Sequence, residues 1–393
     1  MKLHTTPPRL RALVAGGVAL AVVLAGCSSP ESVPAGTHVG AHAPLAGPTP
    51  PAPPLRDGER FVEHALAKPY QPSPPHGGTD DYRCLLLDPG VTDPVFLTGT
   101  RFRPQNERLV HHAVVYVIAP DAVEQARAKD AETPDDGWTC FGLTGIKGEK
   151  GATWVETWSP NSTETLLQQD VGFPVAPGSL LLLQIHYNLL AADGEPGATD
   201  QSGIRLRLKP GTAATKPLDT FAVIAPIELP CAPGESGPLC DRAASIADVA
   251  NRFGPDVGID EDRLVARCSD GVPKPGNTQS CTKEVRQAGT VYTALGHMHL
   301  LGRAIKVELN PGSASAKTLL DIPMFDFDNQ GIQVLPTPVD VEPGDKLRIT
   351  CTHDATLRKQ LPQLRNLPPR YVVWGSGTSD EMCSGTFAFS PKG

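Results

Sequence analysis

Val110-His111-His112-Ala113-Val114-Val115-Tyr116 is an apolar run, rich in β-branched residues, that carries two adjacent histidines. Valine and tyrosine in this density read as a strand. Neighbouring strand residues point to opposite faces, so both imidazoles serve one side only if the strand is bulged or ends there, or if the rings use different nitrogens. Similar short runs recur at 179–187, 204–208, 222–227, 304–309, 346–352 and 371–374, separated by Pro and Gly. This spacing predicts an all-β protein of sandwich type with few helices. Helix is expected at 241–252, and a short one around 60–68. A chain of 393 residues is too long for one ordinary core. Alternation lapses at 209–219, where Pro, Gly, Thr and Ala take over. Two domains are therefore expected, 79–212 and 213–393.

The start of the chain reads as an export signal. Lys2, Arg9 and Arg11 precede an apolar run at 12–25, too short for a good membrane span. Leu24-Ala25-Gly26-Cys27 resembles a bacterial lipoprotein cleavage box. Residues 1–26 are then a signal peptide and Cys27 the lipidated residue, tethering the protein to a membrane of the cell envelope outside the cytoplasm. Residues 27–78 are rich in Pro, Ala and Gly and read as an extended spacer, with His38, His42, His64 and His76 solvated. Loss of residues 1–26 removes three basic residues and no acidic ones, so the net charge moves from −8 to −11. No basic stripe points to nucleic acid. Without Cys27, eight of the nine cysteines remain. An even number in an exported chain reads as disulfides, and no CxxC pair suggests a metal instead. Cys231, Cys240, Cys268 and Cys281 mark an insertion at 231–281 whose four cysteines allow three connectivities.

Three further groups accompany His111 and His112. His186, in Gln184-Ile185-His186-Tyr187, ends an apolar run and taken alone reads as a hydrogen-bonded core residue. His297-Met298-His299 places two imidazoles at i and i+2 on a strand, sharing a face, with Gly296 and Gly302 allowing close backbone approach. Met382, in Asp380-Glu381-Met382-Cys383, is one of only four methionines. Methionine ordinarily fills cores, yet this one lies between an acidic pair and a cysteine. Five imidazoles and a thioether suffice for two three-ligand sites. A thioether is a poor ligand for zinc or iron and a good one for Cu(I), so the set points to copper that visits its reduced state. A zinc hydrolase leaves Met382 without a role.

His111-His112-Ala113-Val114-Val115-Tyr116, Gln184-Ile185-His186-Tyr187, His297-Met298-His299-Leu300-Leu301-Gly302 and Asp380-Glu381-Met382-Cys383, in this order, resemble the ligand motifs of the copper type II ascorbate-dependent monooxygenases. The resemblance covers roughly residues 80–390. It implies two antiparallel jelly-roll β-sandwich domains facing across a cleft. It also implies two copper ions, one held by His111, His112 and His186 for electron transfer and one by His297, His299 and Met382 for oxygen. Bridges Cys84–Cys140 and Cys351–Cys383 are implied too. The implied reaction hydroxylates a C–H bond of a small organic substrate with O2 and ascorbate or another one-electron donor.

The chain departs from the peptide-hydroxylating branch of that family. An arginine and a tyrosine that hold a peptide carboxylate there correspond to Leu295 and Thr386 here. Leucine cannot replace an arginine fork, which argues against a glycine-extended peptide and for a more apolar partner. Gln184 and Tyr187 are read as orienting His186, and His353 as part of a surface turn. The rival reading is a surface lipoprotein that binds and buffers copper without turnover, for which a second site of distinct ligand type has no use.

Overall fold

In a computed structural model of the chain, the histidine-bearing strand Val110–Ile118 lies inside a five-stranded antiparallel sheet. Its order is Trp138–Thr139, Asp80–Leu87, Leu180–Asn188, Val110–Ile118, Ala152–Trp158. The structure describes residues 51–75, 80–133, 137–141, 144–146, 151–189, 197–253 and 261–392. The signal at 1–26, Cys27, His38, His42, His76 and the first part of the spacer lie outside the described residues.

Every residue of Val110–Ile118 and of Leu180–Asn188 is buried, because both faces of this sheet are covered. Val115, Val117, Leu181, Leu183 and Ile185 share a core with Leu97, Ile204 and Leu206 of a six-stranded sheet. On the other face, Val114, Tyr116, Ile118, Leu180 and Leu182 cluster with Ala122 and Ala126, beneath helix Val123–Asp130, and with the Cys84–Cys140 disulfide. Each such leucine or valine contributes roughly 1.5–3 kcal/mol by leaving water.

The six-stranded sheet begins where the sequence suggests spacer and a short helix. Arg60–Ala65 is a strand, paired antiparallel with Gly203–Pro210. Two charges fix it. Glu59 and Arg207 are fully buried side chains 2.9 Å apart. Burial opposes ionisation of Glu59, but Arg56, Thr98 and Arg207 outweigh it and bring its pKa down to about 2. The guanidiniums of Arg205 and Arg207 lie 4.6 and 4.7 Å from the Phe61 ring centre. A helix would break all of these contacts.

Two four-stranded sheets follow. One orders Asp219–Ile224, Ser384–Pro391, Gly289–His297, Gln333–Val341, and the other Thr278–Glu284, Lys346–His353, Gly302–Leu309, Lys317–Ile322. They share a core that includes Val291, Ala294, Ile305, Val307, Ile349 and Phe387. Helix Arg242–Phe253 falls where expected, whereas helix Glu261–Ser269 is additional. Disulfides Cys231–Cys240 and Cys268–Cys281 staple this region, and Cys351–Cys383 crosses the core. The run 371–374 forms only isolated bridges, Val372 to Leu229 and Trp374 to Glu381. Pro368, Pro369 and Gly375 bound it, and a prolines-then-glycine frame leaves little backbone for a ladder.

Glu156 of strand Ala152–Trp158 is fully enclosed and accepts hydrogen bonds from Thr100 and Thr165. Burial raises its pKa to about 8 against the pull of these hydroxyls. The folded chain therefore holds a proton that the unfolded chain releases near its ordinary value, and stability falls as pH rises from about 4.5 to 8. Relative to wild type, Glu156→Gln should gain stability across that window by up to roughly 1.4 kcal/mol per pH unit and no further above it. Parallel urea-denaturation profiles for the two proteins at pH 5, 6.5 and 8 would refute this.

Candidate metal centre

Strand pairing passes from Val110 opposite Tyr187 directly to His112 opposite His186, so His111 is the extra residue of a β-bulge. That bulge lets both imidazoles reach one side. The Nδ1 atoms of His111, His112 and His186 stand 3.1, 3.2 and 3.3 Å apart. Three imidazole nitrogens this close cannot all pair as donor and acceptor: at least one contact sets like against like. The arrangement suits a shared cation with nitrogen ligands at about 2.0–2.1 Å. All three histidines are buried, His112 being the most exposed at 8%.

Around them, the strand Asp80–Leu87 supplies the support. Nε2 of His186 donates to Asp80 Oδ1 at 2.9 Å, which leaves Nδ1 as the free lone pair. Tyr82 stacks on the same ring at 3.9 Å, and Phe327 stacks on His111 at 4.2 Å. Burial lowers the pKa of His112 well below the usual imidazole value, and the neighbouring His186 and His111 add to it. Burial also lowers that of His186, with Asp80 opposing. The neutral, metal-binding form is favoured in both.

His297 ends its strand, and the chain turns at once, so the shared-face argument for His297 and His299 does not hold. The turn brings their ring centres to 5.2 Å nonetheless. Glycine makes this turn fit: a Cβ on Gly302 would stand 2.8 Å from Met298 Cβ and 3.1 Å from the His299 carbonyl oxygen. Each ring is oriented through Nδ1. His297 donates to Gln330 Oε1 at 2.7 Å, and the Gln330 amide in turn donates to the Phe327 carbonyl. His299 donates to the Asp380 carbonyl at 3.2 Å. Both Nε2 atoms are left as ligating lone pairs. Burial, with His299 nearby, drives the His297 pKa down to about 3.

Glu381 joins this turn to the methionine segment. Its carboxylate accepts backbone N–H groups from His299, Leu301 and Met382 at 3.0, 2.6 and 3.1 Å. Burial alone would raise its pKa, but His353 and these donors lower it. His353 is therefore no surface residue: it is buried, 3.5 Å from Glu381. Met382 is half-buried against the second core, and Cys383 beside it is bridged to Cys351. Arg252 and Arg370 hold the Asp380 carboxylate at 2.6 and 3.1 Å, connecting helix Arg242–Phe253 to the same segment.

The two histidine groups abut. His112 and His297 have ring centres 5.7 Å apart, edge to face, where the family resemblance implies sites facing across a cleft. Direct bonds close the gap: Thr378 to Asp80 at 2.6 Å, Tyr82 to the Ser376 carbonyl at 2.8 Å, and the Gln330 N–H to Ser159 at 2.7 Å. Gln184 and Tyr187 do not orient His186. Gln184 donates to the Cys140 carbonyl and Tyr187 to Asp200, on opposite faces of the strand. Asp80 and Tyr82 do that work, and their i, i+2 spacing beside a run ending in cysteine was a readable signal. Nothing in the sequence near Gln330 marks it.

Residues 276–389 match the copper type II ascorbate-dependent monooxygenase C-terminal domain, a stretch that contains His297, His299 and Met382. The DBH-like monooxygenase protein 1 of Gallus gallus is 22% identical over 299 residues, which cover 73% of this chain and 40% of that protein. This chain thus spans about two fifths of the length of that relative. Among solved structures, the major capsid protein P2 from bacteriophage PM2 aligns with TM-score 0.29 and 8% identity, over 85% of this chain and 98% of that one. N-glycanase F aligns with TM-score 0.28 and 8% identity, over 84% and 96%.

Asp80→Ala removes the acceptor that fixes His186 and should weaken metal binding at the three-histidine group about 10- to 100-fold. Competition with a Cu(I) chelator reads this, and unchanged affinity counts against the assigned role. Glu381→Gln orphans a backbone donor and should destabilise the fold by about 2–4 kcal/mol in chemical denaturation.

Proposed function

We propose that this chain is a copper-dependent monooxygenase that hydroxylates a C–H bond of a small organic substrate, using O2 and ascorbate or another one-electron donor. The observation that carries the reading is the convergence of three Nδ1 atoms within 3.3 Å, beside a second histidine pair whose Nε2 atoms are free. His111, His112 and His186 would hold one copper, and His297, His299 and Met382 the other. Copper bound there supplies one-electron redox chemistry and the activation of oxygen. The match over residues 276–389 supports the second set.

The chain's own groups prepare the site for this work. Asp80, Gln330 and the Asp380 carbonyl each accept a ring N–H and so fix which nitrogen is presented. Burial favours the neutral form of His112, His186 and His297. The Met382 thioether favours the reduced ion. On this reading the four sheets form two antiparallel jelly-roll sandwiches, residues 79–212 and 213–393. The protein is an exported lipoprotein of the cell envelope, anchored through Cys27 after loss of residues 1–26.

Purified protein loaded with copper should bind two ions per chain and consume O2 beyond ascorbate autoxidation when substrate is present. Met382→Ile should retain the three-histidine copper and lose hydroxylation. Product mass spectrometry with oxygen-18 checks both. Intact hydroxylation in that variant overturns the assignment, and two bound coppers without oxygen consumption would favour the buffering reading.

A further inference from the structure

The last two residues of helix Arg242–Phe253 touch the supports of both histidine groups. Arg252 donates to the Asp380 carboxylate at 2.6 Å, and the Asp380 carbonyl accepts the ring N–H of His299 at 3.2 Å. Phe253 meets Phe141 edge to face at 4.7 Å. Phe141 lies 5.4 Å from Tyr82, and Tyr82 stacks on His186 at 3.9 Å. The Arg252 guanidinium sits 4.7 Å from the Phe253 ring centre, so the two side chains form one corner.

A glycine lets this corner press on the backbone between the groups. A Cβ on Gly377 would stand 2.8 Å from the Phe253 ring and 2.9 Å from Arg252 Nη1. On either side of Gly377, the Ser376 carbonyl accepts the Tyr82 hydroxyl, and Thr378 donates to Asp80, the acceptor for His186. Four charges hold the corner down. Asp248 accepts from Arg252 and Arg370 at 2.9 and 2.8 Å, and Asp380 from the same two arginines. Without Arg252, two carboxylates would share one guanidinium, which favours release of the buried Asp380 toward water.

We propose that Arg252 positions His299 and that Phe253 positions His186, so that adjacent residues at one helix end each tune a different metal site. That these sites hold copper rests on the oxygenase reading; the placing of the rings does not.

Two readouts test it. The first follows each imidazole in the metal-free full chain, labelled with nitrogen-15 at histidine, by proton–nitrogen correlation spectra. Arg252→Met should shift the ring nitrogens of His299 and leave those of His186 in place, and Phe253→Ala should do the reverse. The second measures Cu(I) affinity against a chelator in chains that keep one group each. His297→Ala with His299→Ala leaves the three-histidine group, and His111→Ala with His112→Ala leaves the other. Arg252→Met should weaken the His297/His299/Met382 group about tenfold and the three-histidine group less than about twofold. Phe253→Ala should weaken the three-histidine group about fivefold and the other less than about twofold. Gly377→Ala, which pushes on both side chains, should weaken both.

A helix end that merely braces the fold would weaken both groups alike under either substitution, or neither, and each of these results overturns the proposal. Spectra that follow the pattern, in a chain that binds fewer than two Cu(I), sustain the positioning and overturn the oxygenase reading. Two bound Cu(I) with spectra unmoved by either substitution overturn the positioning and leave that reading standing.

Discussion

One extra residue in a strand governs the candidate centre. An unbroken Val110–Ile118 would send the His111 side chain into the core between the two sheets, on the opposite side from His112. The bulge at His111 instead gathers three imidazole nitrogens into a triangle whose edges are hydrogen-bond length, though its corners cannot all hydrogen-bond. The surrounding sheet tolerates this because both of its faces are packed. A ladder interrupted at one point is still held by Leu181, Leu183 and Ile185 beneath and by Tyr82 and Cys84 alongside.

The second histidine pair obeys a different constraint. A carboxylate with nearly no solvent contact, Glu381, gathers three backbone N–H groups from two distant segments. Such a group is costly unless fully paired, and here pairing demands that the His297–Gly302 turn and the Met382 segment lie side by side. The contacts of Asp80 with Thr378 and of Gln330 with Ser159 then draw the two histidine groups together. Buried hydrogen bonds to groups that are not candidate ligands orient His186, His297 and His299.

Periodicity made much of this legible. Val110–Ile118 contains the whole of the expected run 110–116, and Leu180–Asn188 and Arg242–Phe253 lie within a residue of expectation. The four histidine and methionine motifs were readable because thioether and imidazole chemistry is local to the residue. The edge strand Arg60–Ala65 was not, since its stability comes from Arg207, some 150 residues away, and a Pro-rich neighbourhood hides it. His353 looked like a turn residue for the same reason: its partner, Glu381, is distant in sequence. Contact between the two histidine groups depends in part on Gln330 and Thr378, residues with no pattern of their own. Long-range pairing of single polar groups is what sequence periodicity cannot express.

The Cys351–Cys383 bridge carries a consequence in time as well as in space. Cys383 adjoins the methionine and Cys351 sits deep in a central strand, two residues from His353. Until that bond forms, the segment bearing Met382 is joined to its neighbours by reversible contacts alone. Oxidation of the two thiols therefore replaces contacts that open and close with one tether that does not, and reduction would release the segment to those contacts again.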